Sequence, residues 1–152
     1  MPGLNQSDLA LILPQTYPFL MLDRVDDYKE GEWLTAIKNI SADEWAFSQR
    51  RWGTGEQGHN SELSFPETLV IEAAAQAALI LYHVSKIKAS GRRPRYFIGK
   101  VKSEFMGSAQ IGDKLTINVT AGKLMDTGGY ADVEISTDTA VAAKIELFFG
   151  VK

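Results

Sequence analysis

Between Thr68 and Val84 the chain reads TLVIEAAAQAALILYHV, and Glu72, Gln76 and His83 supply its carboxylate, amide and imidazole. The steps of four and seven residues between them fit one stripe of a helix with ~3.6 residues per turn. Every other side of that helix is apolar. A surface helix carries one apolar stripe, so a helix that is apolar nearly all round must be enclosed. Ser64, Phe65, Pro66 and Glu67 predict its start, with a capping-box spacing from Ser64 to Glu67 and a proline in the first turn. Gly91 predicts the stop, which gives roughly six turns or more.

The enclosing element is legible downstream. Lys114 to Thr120 alternates, with Leu115, Ile117 and Val119 on one face, and Tyr130 to Thr137 and Val141 to Phe149 read as further strands. Gly112-Asp113, Asp126-Thr127-Gly128-Gly129 and Thr137-Asp138-Thr139 are the turns between them. Phe19 to Leu22, Trp33 to Ile40 and Tyr96 to Phe105 add three strand candidates. Strands, one long helix and then a run of antiparallel strands predict an α+β fold in which a sheet curls round a central helix. With 152 residues, 45% of them hydrophobic, the chain suits one domain over residues 1–152. The apolar run is short and interrupted by Glu72 and Gln76, so no membrane span is expected.

A carboxylate withdrawn from water resists ionisation, which suits Glu72 to giving and taking protons. The competing reading ties it into a buried hydrogen bond or a subunit interface. No cysteine is present, which removes disulfides, thiolate nucleophiles and Cys-ligated zinc. With only His59 and His83 as histidines, no metal site is expected. The segment Ser48 to Leu63 is polar and glycine-rich and holds a literal GxGxxG at Gly53, Gly55 and Gly58. A dinucleotide fingerprint follows a strand and opens a helix directly. This one does neither, and the segment reads instead as a loop that delivers His59 to the helix entrance. No basic n-region followed by an apolar stretch opens the chain, so a cytoplasmic protein is expected. Formal net charge is −3, yet Lys86, Lys88, Arg92, Arg93, Arg95, Lys100 and Lys102 gather seven of the sixteen basic residues within seventeen positions. Nucleic acid is a weak candidate partner for that run, because the chain shows no nucleic-acid motif and its overall balance is acidic.

Three segments carry a family resemblance. LPQTYPFLMLDRV, Leu13 to Val25, resembles the LPHRYPFLLVDRV segment of the 3-hydroxyacyl-acyl carrier protein dehydratases of the FabZ type. FPETLVIEAAAQAA, Phe65 to Ala78, is similar to that family's MPGVLIIEALAQAA, and YFIGKVKSEFMGSAQIGDKLTI, Tyr96 to Ile117, resembles its later strand pair. The resemblance implies the hotdog fold and dehydration of a 3-hydroxyacyl thioester on acyl carrier protein, with no metal or redox cofactor. It implies proton transfer by a histidine and a helix carboxylate from different subunits of a dimer, in some members a trimer of dimers. Glu72 matches the carboxylate.

The histidine position departs from the family pattern GHFPGxPVMPGVLIIEA, where the histidine lies fourteen residues before the glutamate. Here that position is Gly58, and His59 lies thirteen before, followed by Asn60, Ser61, Glu62 and Leu63 in place of FPGxP. A loop one residue shorter would let His59 fill the role of base. Gln15 stands where the family's LPHRYPF has histidine, a position read as mainly structural. Glu67 replaces the glycine whose backbone N–H polarises the thioester carbonyl, and a backbone donor survives that change. Gln76 would hold the Glu72 carboxylate by hydrogen bonding, Tyr96 is a substrate-contact candidate, and His83, about 16 Å along the helix from Glu72, reads as structural. In this family the basic run becomes a candidate dock for the acidic carrier protein with its phosphopantetheine-linked acyl chain. An acyl thioesterase using Glu72 alone, and a non-catalytic homologue that binds carrier protein or an active subunit, are the alternatives. One sheet covers one side of an apolar helix, so the sequence also predicts at least a homodimer, with the helices near the two-fold axis.

Overall fold

The structure, a computed structural model, describes residues 3–47, 64–87 and 94–152. A short helix α1 (Gln6–Ile12) is followed by strands β1 (Arg24–Lys29) and β2 (Trp33–Asn39) and a 3-10 turn at Trp45–Phe47. The long helix α2 (Glu67–Tyr82) runs into a π-helical turn at His83–Ile87, and β3 (Tyr96–Phe105), β4 (Lys114–Met125), β5 (Gly128–Ser136) and β6 (Val141–Val151) complete the chain. The strands form one antiparallel sheet in the order β1-β2-β4-β5-β6-β3. This is the α+β arrangement the pattern predicts.

Register explains how the sheet grips the helix. Leu34 pairs with Val119, Val119 with Val133 and Val133 with Ile145, so one inward row of β-branched and leucine side chains crosses four strands. A second row runs Ala36, Ile117, Ile135 and Ala143. All of these are buried. Against them α2 presents Ala73, Ala74, Ala77 and Ala78, whose small side chains bring the helix axis close to the sheet.

The far side of α2 is covered by its own chain. Leu9 of α1, Leu13, Met21, Leu22, Phe47 and Phe65 belong to the same buried cluster. Val70 and every residue from 73 to 82 are buried within the single chain. The leftover apolar helix face, from which the sequence argues for a second subunit, is therefore reduced to the partly buried Leu69, Ile71 and Val84. The exposed apolar strip lies elsewhere, on edge strand β3, where Phe97, Ile98 and Val101 face solvent.

Four expectations change. Phe19 to Leu22 is not a strand: its backbone crosses α2, tied there by Gln76, and its apolar residues serve as cover rather than as one face of a ladder. The capping box does not form, because Pro66 is the cap residue, with no side-chain bond, and Ser64 is drawn into a bridge with Gln110. α1 and β1 arise where no element is predicted, α1 through a capping box between Asn5 and Asp8. Finally, Glu67–Ile87 is long and apolar enough to cross a membrane, so shortness is not what argues against a span. Two thirds of it is packed inside the fold, as a core helix requires. Gly91 lies outside the described residues.

Both ends of the helix are anchored. Phe65 N–H donates to Ala109 C=O at 2.6 Å, tying the entrance to the segment before β4. At the far end Tyr82 Oη donates to Met125 C=O and Asp126 C=O at 2.8 and 3.1 Å. Ser85 Oγ donates to Leu81 C=O and accepts from Gly31 N–H at 2.7 Å. Gly31 has φ of +75°, the left-handed value its place in the β1–β2 turn demands and glycine supplies most cheaply.

Candidate active site

Glu72 lies in the second turn of α2, half-buried, and two neutral amides reach one of its oxygens. Gln76, one turn on, donates from Nε2 to Glu72 Oε1 at 3.0 Å, and Gln15 donates from its own Nε2 to the same oxygen at 3.4 Å. Among the described residues Glu72 has no ion-pair partner. Gln76 is itself fully buried. Its Oε1 accepts from Met21 N–H at 2.9 Å and its Nε2 also donates to Phe19 C=O at 2.6 Å. One glutamine therefore pins the N-terminal segment across the helix and steadies the carboxylate, while Oε2 of Glu72 is left clear of both amides.

The Leu13–Leu22 segment is held from outside as well. Trp45 Nε1 donates to Pro18 C=O at 3.1 Å, and its ring packs against Phe19 with centroids 5.4 Å apart. Below it an ion pair lies almost out of solvent. Lys38 Nζ sits 2.7 Å from Glu44 Oε1 and 5.2 Å from the centroid of the Phe65 ring. Asp23 Oδ2 accepts from Asn39 N–H at 2.5 Å, fixing the start of β1 against the end of β2.

At the helix entrance Glu67 is exposed as the first residue of α2, where backbone N–H groups and the helix dipole favour negative charge. Beside it opens a cavity of about 370 Å³ lined by Phe65, Val70, Phe105, Ala109, Ile135 and Ala142, with Glu67 at its rim. Apolar walls next to oriented N–H donors suit a molecule with a greasy tail and a polarisable carbonyl. A larger hollow, about 700 Å³, lies on the solvent face of the sheet among Lys102, Glu104, Asp132, Glu134, Lys144 and Glu146, away from Glu72.

Tyr96 and His83 meet at the other end of the helix. Tyr96 Oη lies 3.5 Å from His83 Nδ1, and its ring packs edge-on against Tyr82. Burial, with the Tyr82 phenol adding to it, pushes Tyr96 up to about 12, and burial pushes His83 below its ordinary 6.5. The structure thus brings Tyr96 to His83 and not to Glu72.

Of the basic run, Lys86 pairs with Asp126 at 3.9 Å, Lys102 with Glu146 at 4.0 Å, and Lys100 lies over the Phe148 ring. Arg95 is exposed just before β3. His59, Lys88, Arg92, Arg93 and the GxGxxG glycines lie outside the described residues.

Two features of this region leave little trace in the sequence. Gln15 reads as structural, yet the chain carries it to Glu72. Lys38 and Glu44 carry no motif, and their one signal is position: Lys38 sits in a strand whose neighbours Ala36 and Ile37 are core residues.

Comparison with known proteins agrees with this architecture. Residues 13–146 match the family pattern described as a FabA-like domain. A 3-hydroxyacyl-[acyl-carrier-protein] dehydratase FabZ of Oenococcus oeni is 34% identical over 150 residues, spanning 98% of this chain and all of that protein. One from Haemophilus influenzae is 38% identical over 117 residues, 76% of this chain and 72% of its own. Among solved structures, a chain of the dehydratase heterocomplex ApeI:P from Xenorhabdus doucetiae superposes with a TM-score of 0.75, covering 95% of this chain and 90% of that one at 15% identity. That last likeness is one of fold.

Proposed function

This chain belongs to the FabA-like domain family, and we propose that it dehydrates 3-hydroxyacyl-acyl carrier protein to the trans-2-enoyl thioester in fatty acid or polyketide-type synthesis. The observation that carries this reading is likeness to FabZ dehydratases along nearly the whole chain. Glu72, in the family's carboxylate position, is held by two amides, as a proton donor needs to be.

Loss of water across C2 and C3 requires a base for the C2 proton, an acid for the departing hydroxyl, and a counter to the negative charge that gathers on the thioester oxygen. His59 is the proposed base and Glu72 the acid. The proposed oxyanion donor is the backbone N–H of Glu67, placed where the helix dipole adds to its field. The apolar cavity beside Glu67 offers room for acyl carbons.

Lys86, Lys88, Arg92, Arg93, Arg95, Lys100 and Lys102 form the proposed approach surface for the acidic carrier protein. Complementary charge acts chiefly on encounter rate, and the pairing of Lys86 and Lys102 with acidic neighbours weakens their share in it. The proposed assembly is a homodimer acting in the cytoplasm. The exposed edge of β3 is the surface that suits a partner, since an unpaired strand edge with apolar side chains invites another strand.

The test is incubation with 3-hydroxyacyl carrier protein thioesters of several chain lengths, followed by mass spectrometry. Loss of one water with the thioester intact is expected. Cleavage of the thioester would mark a thioesterase instead.

A further inference from the structure

Among the described residues, half of the Gln15 amide is unused. Its Nε2 faces Glu72 Oε1 at 3.4 Å, while its Oε1 is buried and makes no hydrogen bond among the described residues. A buried amide oxygen without a donor is unfavourable, because it has given up water and gained no bond in return. Turning the amide over would not relieve it, because the oxygen would then face a carboxylate, and two acceptors repel. The oxygen therefore has room in its bonding for a donor from outside the described residues, and it belongs to an amide that faces Glu72.

The proposed reaction brings such a donor. Both amides point at Oε1 of Glu72, so the proton that Glu72 delivers sits on Oε2. The substrate's 3-hydroxyl accepts that proton through its oxygen, and its own O–H is left needing an acceptor. We propose that Gln15 Oε1 accepts the hydrogen bond of the 3-hydroxyl, which makes Gln15 a catalytic residue that selects 3-hydroxyacyl chains and holds the departing water. The inference rests on the dehydratase reading.

The step balances. The base takes the C2 proton, the C2–H electron pair becomes the second bond between C2 and C3, and the C3–O bond breaks with its pair on oxygen. That oxygen takes the Glu72 proton, so water leaves with one hydrogen on Gln15 Oε1. Glu72 is left as a carboxylate under its two amide donors, and exchange with solvent returns the proton from the base. An amide suits this place because it is a neutral acceptor at every working pH, whereas the imidazole of the resembling segment stops accepting once protonated.

The experiment compares the wild-type enzyme with Gln15→Met, which keeps the volume and removes both polar atoms, and Gln15→His, which can both donate and accept. Three quantities are read: kcat and KM for a 3-hydroxyacyl thioester, and Ki for the saturated acyl thioester of the same length. For Gln15→Met the expected result is a 10- to 100-fold lower kcat/KM, the size of one hydrogen bond to a reacting group. KM should rise as kcat falls, Ki should stay within about two-fold, and Gln15→His should recover much of the loss. A fall in kcat alone, with KM unchanged, would show that Gln15 acts only by positioning Glu72, and a Ki that rises in step with KM would show that it merely shapes the pocket. Either overturns the inference, as does an unaffected Gln15→Met. Should Gln15→Met fail to melt cooperatively, Gln15→His carries the test, and its activity at or below that of Gln15→Ala sinks the idea. Wild-type enzyme that removes no water fails at the earlier step, and the control shows it.

Discussion

Gln76 is the residue on which the site and the fold depend together. Leucine in its place keeps the bulk and strips Met21 N–H and Phe19 C=O of their partner, at about 1–3 kcal/mol for each buried group. Gln76→Leu should therefore lower the denaturant midpoint as well as activity. Glu72→Gln separates the two effects: it keeps shape and most hydrogen bonding but transfers no proton, so hydration and dehydration should both vanish while the melting temperature holds. His59→Ala should lower the dehydration rate by ~10²–10⁴-fold, the worth of a general base, and an undiminished rate would end its assignment. The sequence shows the Glu72–Gln76 pair because four residues is one helical turn. It hides Gln15, since fifty-seven residues separate it from Glu72 and only the path of the Leu13–Leu22 segment joins them.

Elements that alternate were legible, and those shaped by their neighbours were not. β3 begins and ends where its pattern predicts, at Tyr96 and Phe105, β5 and β6 differ from their predicted bounds by one or two residues, and β4 runs from its predicted start at Lys114 past Thr120 to Met125. Phe19–Leu22 misleads because four apolar residues in a row serve equally well as a strand or as a covering segment, and periodicity alone does not separate these. In the same region the Lys38–Glu44 pair joins β2 to the 3-10 turn beneath Phe65. Removing one partner of a buried pair leaves a charge in a dry site, at roughly 3–5 kcal/mol. Glu44→Gln should thus destabilise the protein markedly in urea, and Lys38→Met with Glu44→Leu together should recover much of that loss.

At the scale of the molecule, stability should follow pH through His83. Its folded value lies below 6.5, so from 6.5 downwards the unfolded chain binds a proton that the native state resists. The contribution is complete above 6.5 and is lost as pH falls through the depressed value. His83→Gln should flatten that part of the melting-temperature profile between about pH 7 and pH 5. Charge acts over the whole surface too. Reversal at Arg92 and Arg93 should slow turnover of carrier-bound substrate and weaken its salt dependence, while a pantetheine-linked analogue reacts as before. Equal loss on both substrates would make the basic run structural.

The strand order also governs how the protein can be made. β4, β5 and β6 are consecutive in the chain and adjacent in the sheet, whereas β2 must find β4, and β3 must find β6, across long stretches of chain. Closing a long loop costs entropy before any contact repays it, so distant pairings form late. The three-strand meander is then the natural first structure. β2 and β3 add to its two sides, and α2 is sealed only when both are in place. Until then a helix apolar all round stands open to water and to other chains, so refolding yield should fall steeply with protein concentration. Pulsed hydrogen exchange should protect the amides of β5 before those of β3.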